Sequence, residues 1–165
     1  MKLTTKSRYA VTAMLDIASH NTGSPISLPE ISHRQNISLS YLEQLFSRLK
    51  KSGLVDSIKG PGGGYILSKD ANEIVISEVI QAVDEDLETT ACNGKSNCHN
   101  NHQCISHNLW QDLGTEINNF LSDITLKQVI AKNNSDVKEI KLRPNICLLY
   151  TSDAADERSS VDLGG

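Results

Sequence analysis

The sequence predicts a mostly α fold with a small β wing, a winged helix-turn-helix followed by a long dimerisation helix. Three observations carry that expectation. Two short helical segments meet at a tight turn near Asn36, a glycine-tipped hairpin follows them, and a long apolar stripe at helical spacing lies beyond a cysteine-bearing segment. With 165 residues, 38% of them hydrophobic and 4% aromatic, the chain is sized for one domain with one modest core, not for a large aromatic-walled cavity.

Each element has its own signal. From Lys6 to His20, the residues Ala10, Val11, Met14, Leu15, Ile17 and Ala18 form one stripe, and Asn21-Thr22-Gly23-Ser24-Pro25 ends the helix. Ser27-Leu28-Pro29-Glu30 is a capping box with proline in the first turn, opening a short helix to about Gln35. Asn36 sits at the break, where positive φ is wanted and asparagine tolerates it. A third helix opens at Ser38, carries Leu42, Leu45, Phe46 and Leu49, and ends near Ser52-Gly53. Leu54–Ile58 and Tyr65–Leu67 flank Lys59-Gly60-Pro61-Gly62-Gly63-Gly64, a turn that makes the pair a hairpin. Ile74–Ile76 reads as extended, and Ser77 is expected to cap a helix through Val83. Residues 84–103 are polar, without apolar periodicity, and read as a loop. Ile105, Leu109, Leu113, Ile117, Phe120, Leu121 and Ile124 then mark about five helical turns, whose stripe implies a partner helix. Thr125-Leu126-Lys127-Gln128 is a second capping box, starting a last short helix to about Ala131.

This gives a DNA-binding domain at 1–83, a metal- or cluster-binding loop at 84–104, a dimerisation helix with its short follower at 105–131, and a tail at 132–165. Residues 146–165, with Cys147, look like translated adaptor sequence and are set aside. No stretch of 18 apolar residues occurs and the start lacks the apolar region of a secretory signal, so a cytoplasmic protein with no membrane contact is expected.

Charge is divided unevenly. The net charge is −4, yet residues 1–69 hold 9 Lys/Arg against 4 Asp/Glu. A basic first half on an acidic chain points to a polyanion partner for that half, with double-stranded DNA the first candidate. In a winged helix-turn-helix the second helix enters the major groove and the wing lies along the backbone or minor groove. Ser38, Ser40, Tyr41, Glu43 and Gln44 are the candidates for the groove. Gln44 suits an adenine edge and Glu43 can accept from cytosine, although Ser40-x-x-Glu43 also reads as a capping box that would occupy Glu43. Lys6, Arg8, Arg48, Lys50, Lys51 and Lys59, with Gly60 at the wing tip, suit phosphates.

Cys92-x5-Cys98-x5-Cys104-x2-His107 offers three thiolates and one imidazole, a complete set for a four-ligand site. Structural zinc, bystander thiols and an iron–sulfur cluster all remain open on spacing alone. Zinc pairs are usually spaced by two to four residues, whereas a cluster accepts a wider span and a histidine among thiolates. His99 and His102 are alternatives to His107. No Gly-rich phosphate loop or His/Asp pairing accompanies the thiols, so an enzyme is not expected.

Tyr9–Asp16, Ile37–Phe46, Gly60–Tyr65 and the Cys92/Cys98/Cys104/His107 set together resemble the Rrf2 family of winged-helix regulators, in particular its iron–sulfur cluster regulators. The likeness covers about residues 1–131. It implies a homodimer with one [2Fe–2S] cluster per subunit on Cys92, Cys98, Cys104 and His107, the cluster-assembly machinery as donor, and repression of cluster-assembly promoters by the loaded form. It also implies that Glu43 discriminates between operator classes, with Ser40 and Gln44 near bases. The same fold in a regulator of nitric oxide or iron, or in a zinc-stabilised DNA-binding module, is the alternative. Asn36 replaces the family's usual turn glycine, and Lys59 stands for an arginine, trading a bidentate fork for a point charge.

Overall fold

The computed structural model describes residues 4–83, 89–90, 92, 94–97, 99–100 and 102–136. Cys98, most of 84–91 and the segment from 137 onward, including 146–165, lie outside the described residues. The chain divides into a compact unit at Met1–Ile130 and a second at Ala131–Gly165, of which only the end of the last helix is described.

Helix α1, Thr5–Ser19, starts at Thr4, whose hydroxyl accepts from the Lys6 amide at 3.2 Å. It buries Ala10, Ala13, Met14 and Ile17. Helix α2, Leu28–Gln35, opens on the predicted box: the Ser27 amide and hydroxyl both donate to Glu30 Oε2 at 2.8 Å. Those bonds, the amide first, hold the Glu30 carboxyl below its ordinary range. Asn36 closes α2 at φ 53°, ψ 44°, the left-handed conformation the turn requires. Helix α3, Leu39–Lys51, then buries Leu42, Leu45, Phe46 and Leu49.

Strands β1, Val55–Ile58, and β2, Gly64–Leu67, pair antiparallel with Val55 opposite Leu67 and Ile58 opposite Gly64. Ile26 adds a bridge to Tyr65, with backbone bonds of 3.0 and 2.8 Å. Only glycine fits at position 64, because a Cβ there would collide with the Ile26 carbonyl. Helix α4, Ile76–Ala82, completes one core around Phe46, Met14, Ile31 and Ile80. Each such side chain is worth about 1.5–3 kcal/mol on full burial.

A polar cluster locks α1 to α2. The buried Asp16 carboxylate accepts from Arg34 Nε at 3.1 Å, Arg34 Nη2 at 2.6 Å and Gln35 Nε2 at 2.7 Å. Burial alone would raise the Asp16 carboxyl, but the Arg34 and Gln35 hydrogen bonds and the charges of Arg34 and His20 outweigh it and hold the group low.

Beyond the cysteines come α5, His107–Asp123, and α6, Leu126–Asp136. The second capping box forms, with the Thr125 amide donating to Gln128 Oε1 at 3.0 Å and the Gln128 amide to Thr125 Oγ1 at 3.3 Å. Of the residues expected to be extended, 74 and 75 are so and Ile76 already opens α4; they have a partner here, Ile76 N donating to Ile124 O and Leu126 N to Ile74 O. Two expectations are corrected. Ser77 is not the cap of α4, which falls on Val75; the Ser77 hydroxyl is buried and receives a bond from Ser122 of α5 at 3.0 Å. The last helix runs to Asp136 rather than Ala131, since nothing in Lys132-Asn133-Asn134-Ser135 breaks it.

Candidate DNA-reading face and cysteine site

Ser38 caps α3, and Ser40, Glu43 and Gln44 are exposed along one side of its first turns. With Ser47 and Arg48 they line an open groove along the helix. The Ser40–Glu43 capping box does not form: the helix begins at Leu39, so Ser40 already lies inside the first turn. Glu43 is thereby left available to a partner outside the chain. Ser47 escaped the sequence reading, although its place one turn beyond Glu43 and Gln44 would have exposed it to a helical-wheel argument.

The other candidates divide. Tyr41 is half-buried with its ring edge-on to Tyr9, centroids 5.6 Å apart, so it braces α3 on α1. Arg48 is half-buried and donates to the Val83 carbonyl at 3.3 Å, at the end of α4. Lys50 is tied to the Ser57 hydroxyl across the α3–β1 junction. Lys59 and Gly60 are exposed at the wing tip, Gly60 at φ 105°. Arg8 is exposed and Lys6 half-buried on α1.

The cysteine segment meets α5 at its first residue. His107 is 2% exposed, and its Nδ1 lies 3.5 Å from Cys92 Sγ although the two are 15 positions apart. Its amide donates to the Cys104 carbonyl at 3.0 Å, which draws Cys104 and His107 into one turn. Cys104 Sγ stands 3.7 Å from Ser106 Oγ. On the other side of the ring, His107 Nε2 lies 3.4 Å from Ser96 Oγ, which accepts from Gln103 Nε2 at 3.1 Å. Thr90, buried, accepts from the Gly94 amide at 2.8 Å. Of the four predicted ligands, Cys92 and His107 meet side chain to side chain, Cys104 is joined to His107 through the backbone of one turn, and Cys98 lies outside the described residues. Among the described residues, no three His, Cys, Asp or Glu side chains are grouped so as to hold a single metal ion. His99 and His102 pair with each other through backbone bonds of 2.9 and 2.8 Å and are exposed, whereas His107 is buried.

Residues 3–132 match the family described as Rrf2, iron-dependent transcriptional regulator. The chain belongs to the Rrf2 family. It is 54% identical over 145 residues to the HTH-type transcriptional regulator IscR of Yersinia pseudotuberculosis, covering 88% of this chain and 87% of that one. To IscR of Serratia proteamaculans it is 55% identical over the same shares. Among solved structures, T. potens IscR aligns with a TM-score of 0.68 at 32% identity, over 86% of this chain and 93% of that chain. CymR of B. subtilis, a global cysteine regulator, aligns with a TM-score of 0.71 at 29% identity, over 80% and 98%.

An Rrf2 protein of this similarity is a DNA-binding transcription regulator of the IscR type, not an enzyme. Among the described residues of this Rrf2 chain, no helix is long and apolar enough to cross a membrane. Its α5 leaves Leu109, Trp110, Leu113 and Phe120 exposed, the last at 64%.

Proposed function

We propose that this Rrf2 regulator binds promoter operators on double-stranded DNA as a cytoplasmic homodimer, and that a [2Fe–2S] cluster, one per subunit, governs its choice of operators. Residues 1–83 read DNA, 84–104 with the start of α5 hold the cluster, and 105–131 form the dimer contact. The observation that carries the reading is the approach of His107 Nδ1 to Cys92 Sγ at the buried start of α5. It brings together the two ends of a soft ligand set that also contains Cys98 and Cys104. Three thiolates and a neutral imidazole suit a binuclear iron–sulfur cluster, and Cys92, Cys98, Cys104 and His107 would hold it. When bound, such a cluster supplies an occupancy that responds to redox state and to supply from the cluster-assembly machinery.

The chain's own residues do the rest. The locked α1–α2 pair and the left-handed Asn36 set the angle at which α3 is presented. Ser38, Ser40, Glu43 and Gln44 then face base edges, Glu43 discriminating operators because an acidic acceptor fits cytosine N4 and repels poorly matched acceptors. Lys6, Arg8, Lys59 and Gly60 engage the backbone, with Arg48 and Tyr41 holding α3 while remaining at the edge of that surface. The exposed apolar face of α5 supports a helix of a second copy as its cover, since four large apolar side chains in water on one helix favour burial.

Anaerobic purification with iron, sulfide and zinc quantified beside the visible spectrum tests the reading. About two iron and two sulfide per chain with a red-brown colour are expected. One zinc per chain without colour would replace it with a structural metal in a winged-helix protein.

A further inference from the structure

His107 is held from both sides of its ring. Cys92 Sγ faces Nδ1 at 3.5 Å, and Ser96 Oγ faces Nε2 at 3.4 Å. Ser96 is itself fixed, because its oxygen accepts from Gln103 Nε2 at 3.1 Å and its backbone sits at φ 59°, a conformation few side chains adopt. The position is half-buried, and the ring it addresses is almost wholly so.

We infer that Ser96, steadied by Gln103, is a positioning residue that holds His107 with its hydrogen on Nε2 and presents Nδ1 as the ligating nitrogen. The inference rests on the cluster reading above. An imidazole ligand whose second nitrogen donates to an oxygen is oriented and made more basic, and losing that partner typically weakens the site by 10–100-fold. At 3.4 Å the bond is long, which puts the expected effect at the lower end. Neither residue is a ligand by type in a set of soft donors. Their contribution lies in which nitrogen of His107 is offered and how firmly.

The positive φ of Ser96 decides the right variant. Ser96→Ala keeps the Cβ and its cost at positive φ, whereas Ser96→Gly removes the hydroxyl and suits the conformation. The full-length protein, loaded anaerobically, is mixed with an iron chelator and the decay of its visible absorption is followed. Ser96→Gly should lose the chromophore about tenfold faster than the parent, and Gln103→Ala a few-fold faster. The reduction potential of the loaded Ser96→Gly protein should rise, because a less basic imidazole donates less charge to the iron. Its thermal midpoint should stay that of the parent, separating positioning from loss of fold. Nitrogen hyperfine spectroscopy on the reduced sample, with His107 labelled at one ring nitrogen, should find Nδ1 on iron. Unchanged decay and potential in Ser96→Gly, or ligation through Nε2, overturns the inference. A parent protein that takes up no iron and sulfide overturns the underlying reading instead.

Discussion

The two regions of this chain are built on opposite principles. In the winged-helix unit, α1 to α4 interlock around fully buried Met14, Ile31, Phe46 and Ile80, and the positions of the reading side chains follow from that packing. Among the described residues between Val83 and Leu126, no hydrophobic side chain is fully buried, Leu121 and Ile124 packing against the core only in part; the buried groups there are the polar Thr90 and His107. That stretch is organised by single hydrogen bonds such as Thr90 to Gly94, Gln103 to Ser96 and the contacts of His107. Close packing tolerates little displacement, while a few polar contacts of 2.8 to 3.5 Å are individually weak and readily exchanged for others. A region of the first kind suits a fixed template for DNA, and one of the second kind suits a site whose occupancy is meant to change.

The contrast can be broken most severely in the core. Phe46→Ala should cost about 3–5 kcal/mol, read as a lower urea midpoint for the whole winged-helix unit. A loss below about 1 kcal/mol would show that the unit is not packed as described. Next comes the polar lock: Arg34→Ala leaves the buried Asp16 carboxylate with Gln35 as its remaining described side-chain donor and should cost about 3 kcal/mol at neutral pH. Because Asp16 is held below its ordinary value of 3.8, its contribution is present above that pH and fades as acid carries the medium down through the lowered folded value. The parent and Arg34→Ala stability curves should therefore converge in strong acid, and parallel curves there would argue against the ion pair as the source.

Changes in the cysteine region should leave the fold almost untouched. Cys92→Ala should abolish the iron chromophore and shift the unfolding free energy of the cluster-free protein by no more than about 0.5 kcal/mol. An unfolded variant would mark the thiol as structural. On the reading face, Glu43→Ala should also spare stability yet relax base preference at one position by about 1–3 kcal/mol, measured by binding to a library of operator variants. The smallest effect is expected from Lys59→Ala, which should reduce the slope of log affinity against log salt by about one.

How far the sequence anticipates this structure depends on the range of the interaction. Signals local to a few residues were legible: the Ser27/Glu30 and Thr125/Gln128 boxes, the left-handed Asn36 and the glycine wing all appear where their spacing put them. Ser77 misled for a related reason. A serine near a helix start satisfies the cap pattern, but the backbone enters α4 two residues earlier, with Val75 bridged to Thr125. What was not legible is long-range. Asp16 and Arg34 are separated by 18 positions, and Ser96 approaches His107 across 11. Neither pair leaves a trace in local patterning, because polar residues of these types read as ordinary surface until the fold brings them together.

The seam between Ile74–Ile76 and Ile124–Leu126 gives the long helix a mechanical role. α5 is fastened to the reading unit at its C-terminal end by those backbone bonds and by Ser122 on Ser77, and it carries His107 at the opposite end. A helix of 17 residues spans about 25 Å. One continuous helix thus joins the seam beside α4 to the buried histidine, so the reading unit and the cysteine segment share a single stiff element held at both of its ends.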